Sequence, residues 1–458
     1  MRTSTLIRIS RARLAASALS LALCVPRDSG AQGAPADSST AREIVPGVTV
    51  RRIVRADGPV TLHILEADLR RPELMVRAVR ACDRANGRER PSAIARRLRG
   101  EGIDVIAAIN AGFFDLEGGT GASESNVVVD GDIAKGVEVT ESPFDKFDNV
   151  HSQFGFTARH SPLIDRFRLT ATVRSPRGTW ELATVNGAPV ANKVALYTSW
   201  SDRAPPFPSR IRSAAAPLEL IGGASQRQAT SSGMWRYRVL ASVARDTAMD
   251  TTVTHALLVG TGSAADGVAR LKPGDLVTVT TRFSPDRGAL ETLVGGWPRI
   301  VANGANVAAV ADSLEGTFPR FAATRHPRSV VGFSRDSATL FLVAVDGRQT
   351  GSVGMTLIEL ANALIGLGVH DALNLDGGGS TALVVGDTVV NKPSDQTGER
   401  PVGDVLVVTR ERATGATGVP SRRHVPARTL VACCVRAGNR DPDRVAQPAP
   451  KPPAPAPE

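Results

Sequence analysis

Short apolar runs alternate with polar positions along most of the chain, and turn residues separate one run from the next. Residues 60–69, "VTLHILEADL", have the period of a strand. "WELATVNG", "HALLVGTG" and "GDLVTVTTRF" give the stretch from about 160 to 300 the same character. "DVIAAIN" (104–110) reads as a buried strand that empties into "AGFFDLEGGTG". Two segments carry the helical period instead. Residues 91–102 open on Pro and Ser and close on Gly. In residues 354–368, Leu357, Leu360, Ala361, Leu364 and Leu367 share one face, and Gly368 can take the left-handed cap position. A strand, "ATLFLVAVDG", precedes that helix, and "DALNLDGGGS" follows it as a strand ending in a tight turn. The pattern predicts a mixed α/β (α+β) fold: one strand-rich domain over 45–410 with a few helices packed on its sheet.

The ends depart from this pattern. "MRTSTLIRISRAR" carries four arginines, an apolar run of 12 residues follows, and "SGA" offers small residues for cleavage. Residues 1–31 therefore read as a signal peptide, which implies export to the periplasm or the medium. A lipoprotein reading at Cys24 would put bulky Leu23 where a small residue is wanted. Residues 32–44 read as a linker, and 411–458 as a Pro/Ala-rich disordered tail. With 458 residues, 42% of them hydrophobic, the chain has ample material for a large core. No apolar stretch after the N-terminus is long enough to span a membrane.

Charge and cysteine change the picture little. Formal net charge is +10, but only six of the 55 basic residues are lysine, and the arginines are scattered along the sequence. That favours an anionic polymer or phosphorylated glycan as partner over a nucleic acid. Of the four cysteines, Cys24 falls in the signal, and Cys82, Cys433 and Cys434 show no metal-site spacing. A fold without disulfide staples is expected, although Cys82 could pair with either of the others.

Candidate chemistry gathers around "LNLDGGGSTALV". Gly377, Gly378 and Gly379 lack Cβ atoms, so a ligand can approach the backbone, and successive N–H groups can cradle an anion. Ser380 and Thr381 add hydroxyl donors, and Asp376 sets a carboxyl beside them. "RHPRSVVG" brings His326 and Arg328, "VDGR" brings Asp346, the second helix brings Glu359, and "NKPSDQTGERPV" brings Asn391 and Arg400. Asp346, Glu359 and Asp376 could equally hold a divalent cation such as calcium, although no loop has the spacing of a known calcium motif. No cofactor is otherwise expected.

The blocks "AAINAGFF…SNVVVDG", "VGGWPRIVANG", "HPRSVVGF", "VAVDGRQTGSVGMTLIELA", "LNLDGGGSTALV" and "VVNKPSDQTGERPV" occur in this order. Together they resemble the phosphodiester glycosidase family over about 45–410. The resemblance implies an exported hydrolase acting on glycosyl bonds, cleaving a glycosyl-1-phosphodiester or a related exopolysaccharide linkage. It implies site positions at Asn110, Gly112, Phe113, Arg328, Asp346, Gly347, Glu359, Asp376 to Ser380 and Arg400. On this reading Asp376, Glu359 and Asp346 are the candidate carboxylates. Arg328, Arg400 and the glycine loop hold phosphate, His326 bonds phosphate or shuttles a proton, and Phe113 or Phe114 stacks on the sugar. The cysteine-rich extension and membrane anchor of animal members have no counterpart, so envelope or foreign glycans are the expected substrates. The rival expectation is a non-catalytic envelope protein that binds anionic glycans through the same pocket.

Overall fold

The strand Asp371–Asn374 runs inside an eight-stranded sheet, between Arg328–Phe333 and Arg299–Ala302, antiparallel to both. Beyond Arg328–Phe333 the sheet continues through Thr339–Val345, Val60–Asp68 and Val48–Arg55 to the edge strand Ser38–Val45. These are strands in a computed structural model that describes residues 37–56, 58–136, 151–201, 211–221, 232–245, 256–317 and 319–411. The expected signal peptide and nearly all of the expected tail lie outside these residues. Much of the expected linker does not: Ser38–Val45 pairs along its length with Val48–Arg55. Its small polar residues suit a strand with both faces in water.

A five-stranded antiparallel sheet packs against the first. Its order is Thr388–Val389, Leu383–Val385, Asp104–Asn110, Asp404–Arg410, Leu74–Arg80. Leu65, Leu342, Leu373 and Val331 from the eight-stranded sheet meet Ile109, Leu383 and Leu406 in one apolar layer. The two amphipathic patterns do form helices, Pro91–Gly100 and Leu357–Gly366. The second covers the other face of the eight-stranded sheet, where Leu357, Leu360, Ala361 and Leu364 pack on Leu62, Ile64 and Val343. A second five-stranded sheet carries Val127–Val129 and Leu290–Gly295.

The middle of the chain closes into a barrel. Ser232–Val239, Leu276–Ser284, Arg168–Ser175, Gly178–Val185, Val194–Tyr197, Ala256–Thr261 and Ser213–Leu220 pair in sequence around a ring, and the last returns to the first. Its interior is filled by residues such as Val173, Leu196, Leu218, Tyr237, Leu258 and Val279.

The mixed α/β expectation is therefore corrected. The described residues form 26 strands and only five α-helices, none longer than ten residues, and the fold is largely β. The strand–helix–strand reading around Leu357–Gly366 suggested layered α/β. In fact Thr339–Val345 and Asp371–Asn374 are not neighbours, because Arg328–Phe333 lies between them. One helix closing over an antiparallel sheet gives the same local pattern as a crossover unit. The expectation of no disulfide staple is also corrected: Cys82 is disulfide-bonded, and the other three cysteines lie outside the described residues. Among the described residues, no helix is long and apolar enough to cross a membrane.

Candidate active site

Asp376 leaves the end of Asp371–Asn374 and is held by the end of Asp104–Asn110. Its N–H donates to the Ala111 carbonyl (2.9 Å) and its own carbonyl accepts from Asn110 Nδ2 (2.5 Å). Asn110 is fully buried, and its Oδ1 accepts from Ser329 Oγ (2.7 Å) and from the Ala382 N–H (3.1 Å). Every polar atom of Asn110 is therefore spent on protein. It fastens the loop and does not face a ligand.

The glycines that follow are required by close approach. Gly378 has φ +59 and donates to the Pro327 carbonyl at 2.9 Å. A Cβ on Gly377 would sit 2.8 Å from that same carbonyl oxygen, and one on Gly379 would overlap the carboxylate of Asp395 and the guanidinium of Arg400. The loop then turns as a short 3-10 segment, Gly378–Ser380, with the N–H groups of Ser380 and Thr381 bonded back to Gly377 and Gly378. The Gly377 N–H points at the Asp376 carboxyl. The expected cradle of free amides is thus largely consumed internally. Cationic side chains take its place.

The Asp376 carboxyl is the most perturbed acid of the site. Burial pushes it up to about 7, and the nearby Glu124 charge adds to the rise; bonds from Ser380 and Gly377 and the Arg400 charge pull the other way. The residue nevertheless keeps partial solvent access. A carboxyl largely surrounded by protein yet partly open to solvent can exchange its proton near neutral pH.

Arg400 stands over this floor. Its guanidinium grips Asp395 through Nε and Nη2 (2.8 and 3.0 Å), and Nη1 reaches Ser380 Oγ at 3.3 Å. On the other side, Arg348 lies exposed with its Nη2 3.3 Å from His326 Nδ1 and 3.1 Å from where a Gly378 Cβ would be. Burial and the charges of Arg328 and Arg348 lower the basicity of His326.

Arg328, expected to hold phosphate, does something else. It is 2% exposed, and its donors go to the carbonyls of Met355 (3.2 Å), Phe321 (2.8 Å) and Thr324 (2.9 Å). Burial brings it down to about 10, with Arg348 adding to the effect. Its Nε and Nη2 donors are turned inward to these carbonyls, and Arg348 takes the exposed position beside the loop. "VDGR" carried that signal in the sequence.

Two candidate carboxylates also prove structural. Asp346 is buried, bonded through Oδ2 to His63 Nε2 (3.0 Å) and through Oδ1 to the Lys392 N–H (2.8 Å). Glu359 closes the capping box of Leu357–Gly366, accepting from the Thr356 N–H (2.9 Å) and pairing with Arg325. Asn391 is a clamp: Oδ1 accepts from the Leu383 N–H (2.7 Å) and Nδ2 donates to the Thr381 carbonyl (3.1 Å). Thr381 is buried and its hydroxyl finds no partner among the described residues. With Asp346 and Glu359 committed elsewhere, the calcium reading loses its ligands. Among the described residues no group of three or more His, Cys, Asp or Glu is placed to hold a metal ion.

Besides Arg348, Glu124, Trp297, His151 and Phe321 are absent from the sequence-based list and join the site. Glu124 donates its backbone N–H to Phe113 (3.0 Å), on the same short stretch that receives the Asp376 N–H. Surrounding protein raises its carboxyl above the ordinary value, with Asp115 adding repulsion. Trp297 and His151 stack at 4.9 Å, and Trp297 stacks on Phe321 at 5.2 Å. Phe113 meets both Trp297 and Phe321 edge-on or tilted, at 6.3 and 6.4 Å. Trp297 is tied to the floor, since its carbonyl accepts from Asn374 Nδ2 (2.7 Å) and its N–H donates to the Asn374 carbonyl (2.8 Å). The buried Arg80–Asp404 pair (3.0 Å) pins this corner: Asp404 Oδ1 accepts from the Gly112 N–H and Arg80 donates to the Gly121 carbonyl.

An acid at the floor, guanidinium groups beside it and an aromatic wall define a site for a molecule that is part anion and part apolar ring face. Comparison with known proteins agrees with this class. Residues 238–409 match the phosphodiester glycosidase family. It is 34% identical over 131 residues to bovine N-acetylglucosamine-1-phosphodiester alpha-N-acetylglucosaminidase, covering 26% of this chain and 24% of that protein. The human protein of the same name is 39% identical over 80 residues, covering 18% of this chain and 15% of its own. The chain thus spans about a quarter or less of the length of these relatives. In fold it is similar to a hypothetical protein from Synechocystis (TM-score 0.63, 22% identity, 82% of this chain and 64% of that one). It is also similar to a Burkholderia pseudomallei protein (TM-score 0.56, 22% identity, 79% and 77%).

Proposed function

We propose that this protein hydrolyses a glycosyl-1-phosphodiester, or a related phosphate-bearing exopolysaccharide linkage, at the sugar's anomeric carbon. The observation that carries the reading is Asp376: burial raises its carboxyl to about 7, Arg400 reaches it through Ser380, and Trp297 is tied to Asn374 two residues before it. The names of the bovine and human relatives support the bond class. The N-terminal arginines and apolar run support action outside the cytoplasm.

In this mechanism the ring face lies on Trp297, Phe113 and Phe321, and the phosphate lies toward Arg400 and Arg348. Ionised Asp376 takes a proton from water as the water oxygen bonds to the anomeric carbon. The bond from that carbon to the bridging oxygen breaks, and its electron pair leaves on the phosphate monoester. That leaving group is a weak base and needs little protonation. Guanidinium groups therefore matter more than a general acid. Charge building on the ring in the oxocarbenium-like transition state is balanced by the carboxylate pair, Asp376 and Glu124. A base titrating near 7 is well matched to neutral pH.

The test is release of free sugar from synthetic methyl N-acetylglucosamine-1-phosphate. We expect turnover by the native chain and a loss of roughly a hundredfold or more in Asp376→Asn with unchanged circular dichroism. Saturable binding without product, in the native chain, would instead favour a non-catalytic glycan-binding protein.

A further inference from the structure

The barrel displays a second charged surface, on its outer wall, that plays no part in the chemistry above. Strand alternation sends Val173, Val277, Val279 and Tyr237 inward, so the intervening positions of three adjacent strands face solvent. Register aligns them in rows. Arg174, Thr278 and Arg236 stand side by side; Thr172, Thr280 and Met234 form the next row; Thr170 and Arg282 belong to the row after that. Arg174, Arg236 and Arg282 are exposed, and none has a carboxylate within ion-pair distance among the described residues. Arg238 joins the same face but pairs with Glu219 (3.2 Å), and neighbouring Glu181 is offset by Lys193 (3.7 Å).

From strand spacing, Arg174 and Arg236 are about 10 Å apart, and Arg282 lies about 14 Å further along the strands. Threonine hydroxyls fill the ground between. Of the aromatic residues on these strands, Tyr237 and Phe283 are buried in the interior, and Trp235, like Trp180 on the neighbouring strand, is half-buried and packs against it. The face therefore offers forked cations and hydroxyl donors but no ring on which a base could stack, as single-stranded nucleic acid requires. Its arginines are spread along and across three strands, which suits an extended chain more than a compact ligand.

We propose that this wall of the barrel is a docking surface for a linear, phosphate-bearing glycan polymer. Regularly spaced phosphates match unpaired guanidinium groups, and sugar hydroxyls match the threonine rows. The contact does not depend on the Asp376 chemistry, and it would hold a polymer to the protein whether or not the cleft cleaves it.

The experiment measures binding of a fluorescent linear poly(N-acetylglucosamine 1-phosphate) by anisotropy, with neutral dextran and a single-stranded oligonucleotide as comparisons. One variant combines Arg174→Gln, Arg236→Gln and Arg282→Gln. A second removes equal charge from exposed positions elsewhere, Arg52→Gln, Arg159→Gln and Arg335→Gln. We expect the barrel variant to bind about tenfold more weakly and the second variant to stay within about twofold of the native chain. Both should melt like the native protein and turn over a short sugar-1-phosphodiester at the native rate. Equal losses in the two variants would reduce the effect to net charge and overturn the proposal. So would tighter binding of the oligonucleotide, or no binding of the polymer by the native chain. Failure of turnover with the barrel contrast intact would overturn only the catalytic reading.

Discussion

Arg400 holds Asp395 with two hydrogen bonds and still reaches the Ser380 hydroxyl, which itself bonds the Asp376 carboxyl. One guanidinium thus links an anchoring acid to the Asp376 carboxyl, and Gly379 is a glycine because any Cβ would enter that contact. Arg400→Lys should lose the fork geometry while keeping the charge. We expect kcat/KM to fall at least about tenfold, with Asp395→Asn falling by a similar factor because Arg400 loses its anchor. Steady-state kinetics on the two variants and their combination test the coupling. If the double variant loses the product of the two single losses, the residues act independently and the linkage is wrong.

The Asp376 carboxyl sets a pH dependence whose sign is fixed. Its folded pKa, about 7, lies above the ordinary 3.8, so folding favours the protonated form. Relative to an asparagine, native stability is fully present below about pH 4 and declines as pH rises through about 7. Asp376→Asn should therefore be more stable than the native chain at pH 8, by about 1–3 kcal/mol after allowing for the solvent access of the carboxyl. The difference should vanish near pH 4. Urea unfolding at the two pH values checks this; equal differences at both would contradict the raised pKa. Activity runs the opposite way, because the ionised form is the base: kcat/KM should rise through about pH 7.

Glu124 pushes the Asp376 carboxyl upward. Glu124→Gln should accordingly move the acidic limb of the pH–rate profile to lower pH while reducing kcat, since one of two charges facing the ring is gone. An unmoved limb would show that the two carboxyls do not interact.

Asn110 gives a structural prediction. Asn110→Ala leaves the Ser329 hydroxyl and the Ala382 N–H without their buried acceptor and frees the Asp376 carbonyl. The expected cost is about 2–4 kcal/mol, read as a fall in the midpoint of unfolding. A loss of activity without loss of stability would argue that Asn110 touches substrate after all.

How much of this was legible in the sequence follows from what each element depends on. Asp376 and its glycines could be read because a strand ending in three glycines has few other uses. The helix Leu357–Gly366 could be read from its apolar face and its Thr356–Glu359 cap. The sheet pairings and the barrel could not, since short alternating runs do not say which pair with which, and the ring sets Arg168–Ser175 beside Leu276–Ser284, about a hundred residues away. The exchange of Arg328 for Arg348 was hidden for a similar reason. Arg328 begins a strand paired with Thr339–Val345, and the face its side chain takes is fixed by register and not by its neighbours in sequence. Glu124, Trp297 and His151 reach the cleft only because separate sheets fold over one another.

Trp297 carries the prediction for the sugar. Trp297→Ala removes the centre of the wall that Phe113, Phe321 and His151 complete. KM should rise about fivefold to tenfold with a smaller change in kcat. A fall in kcat alone would place the ring elsewhere.

The central claim is that water attacks the anomeric carbon with Asp376 as its base, and the direct measurement is where solvent oxygen goes. Hydrolysis of the methyl phosphodiester in heavy-oxygen water, with the released sugar reduced at once by borohydride, should place the label in the sugar and none in methyl phosphate. Label in the phosphate would mean attack at phosphorus, and would contradict the account.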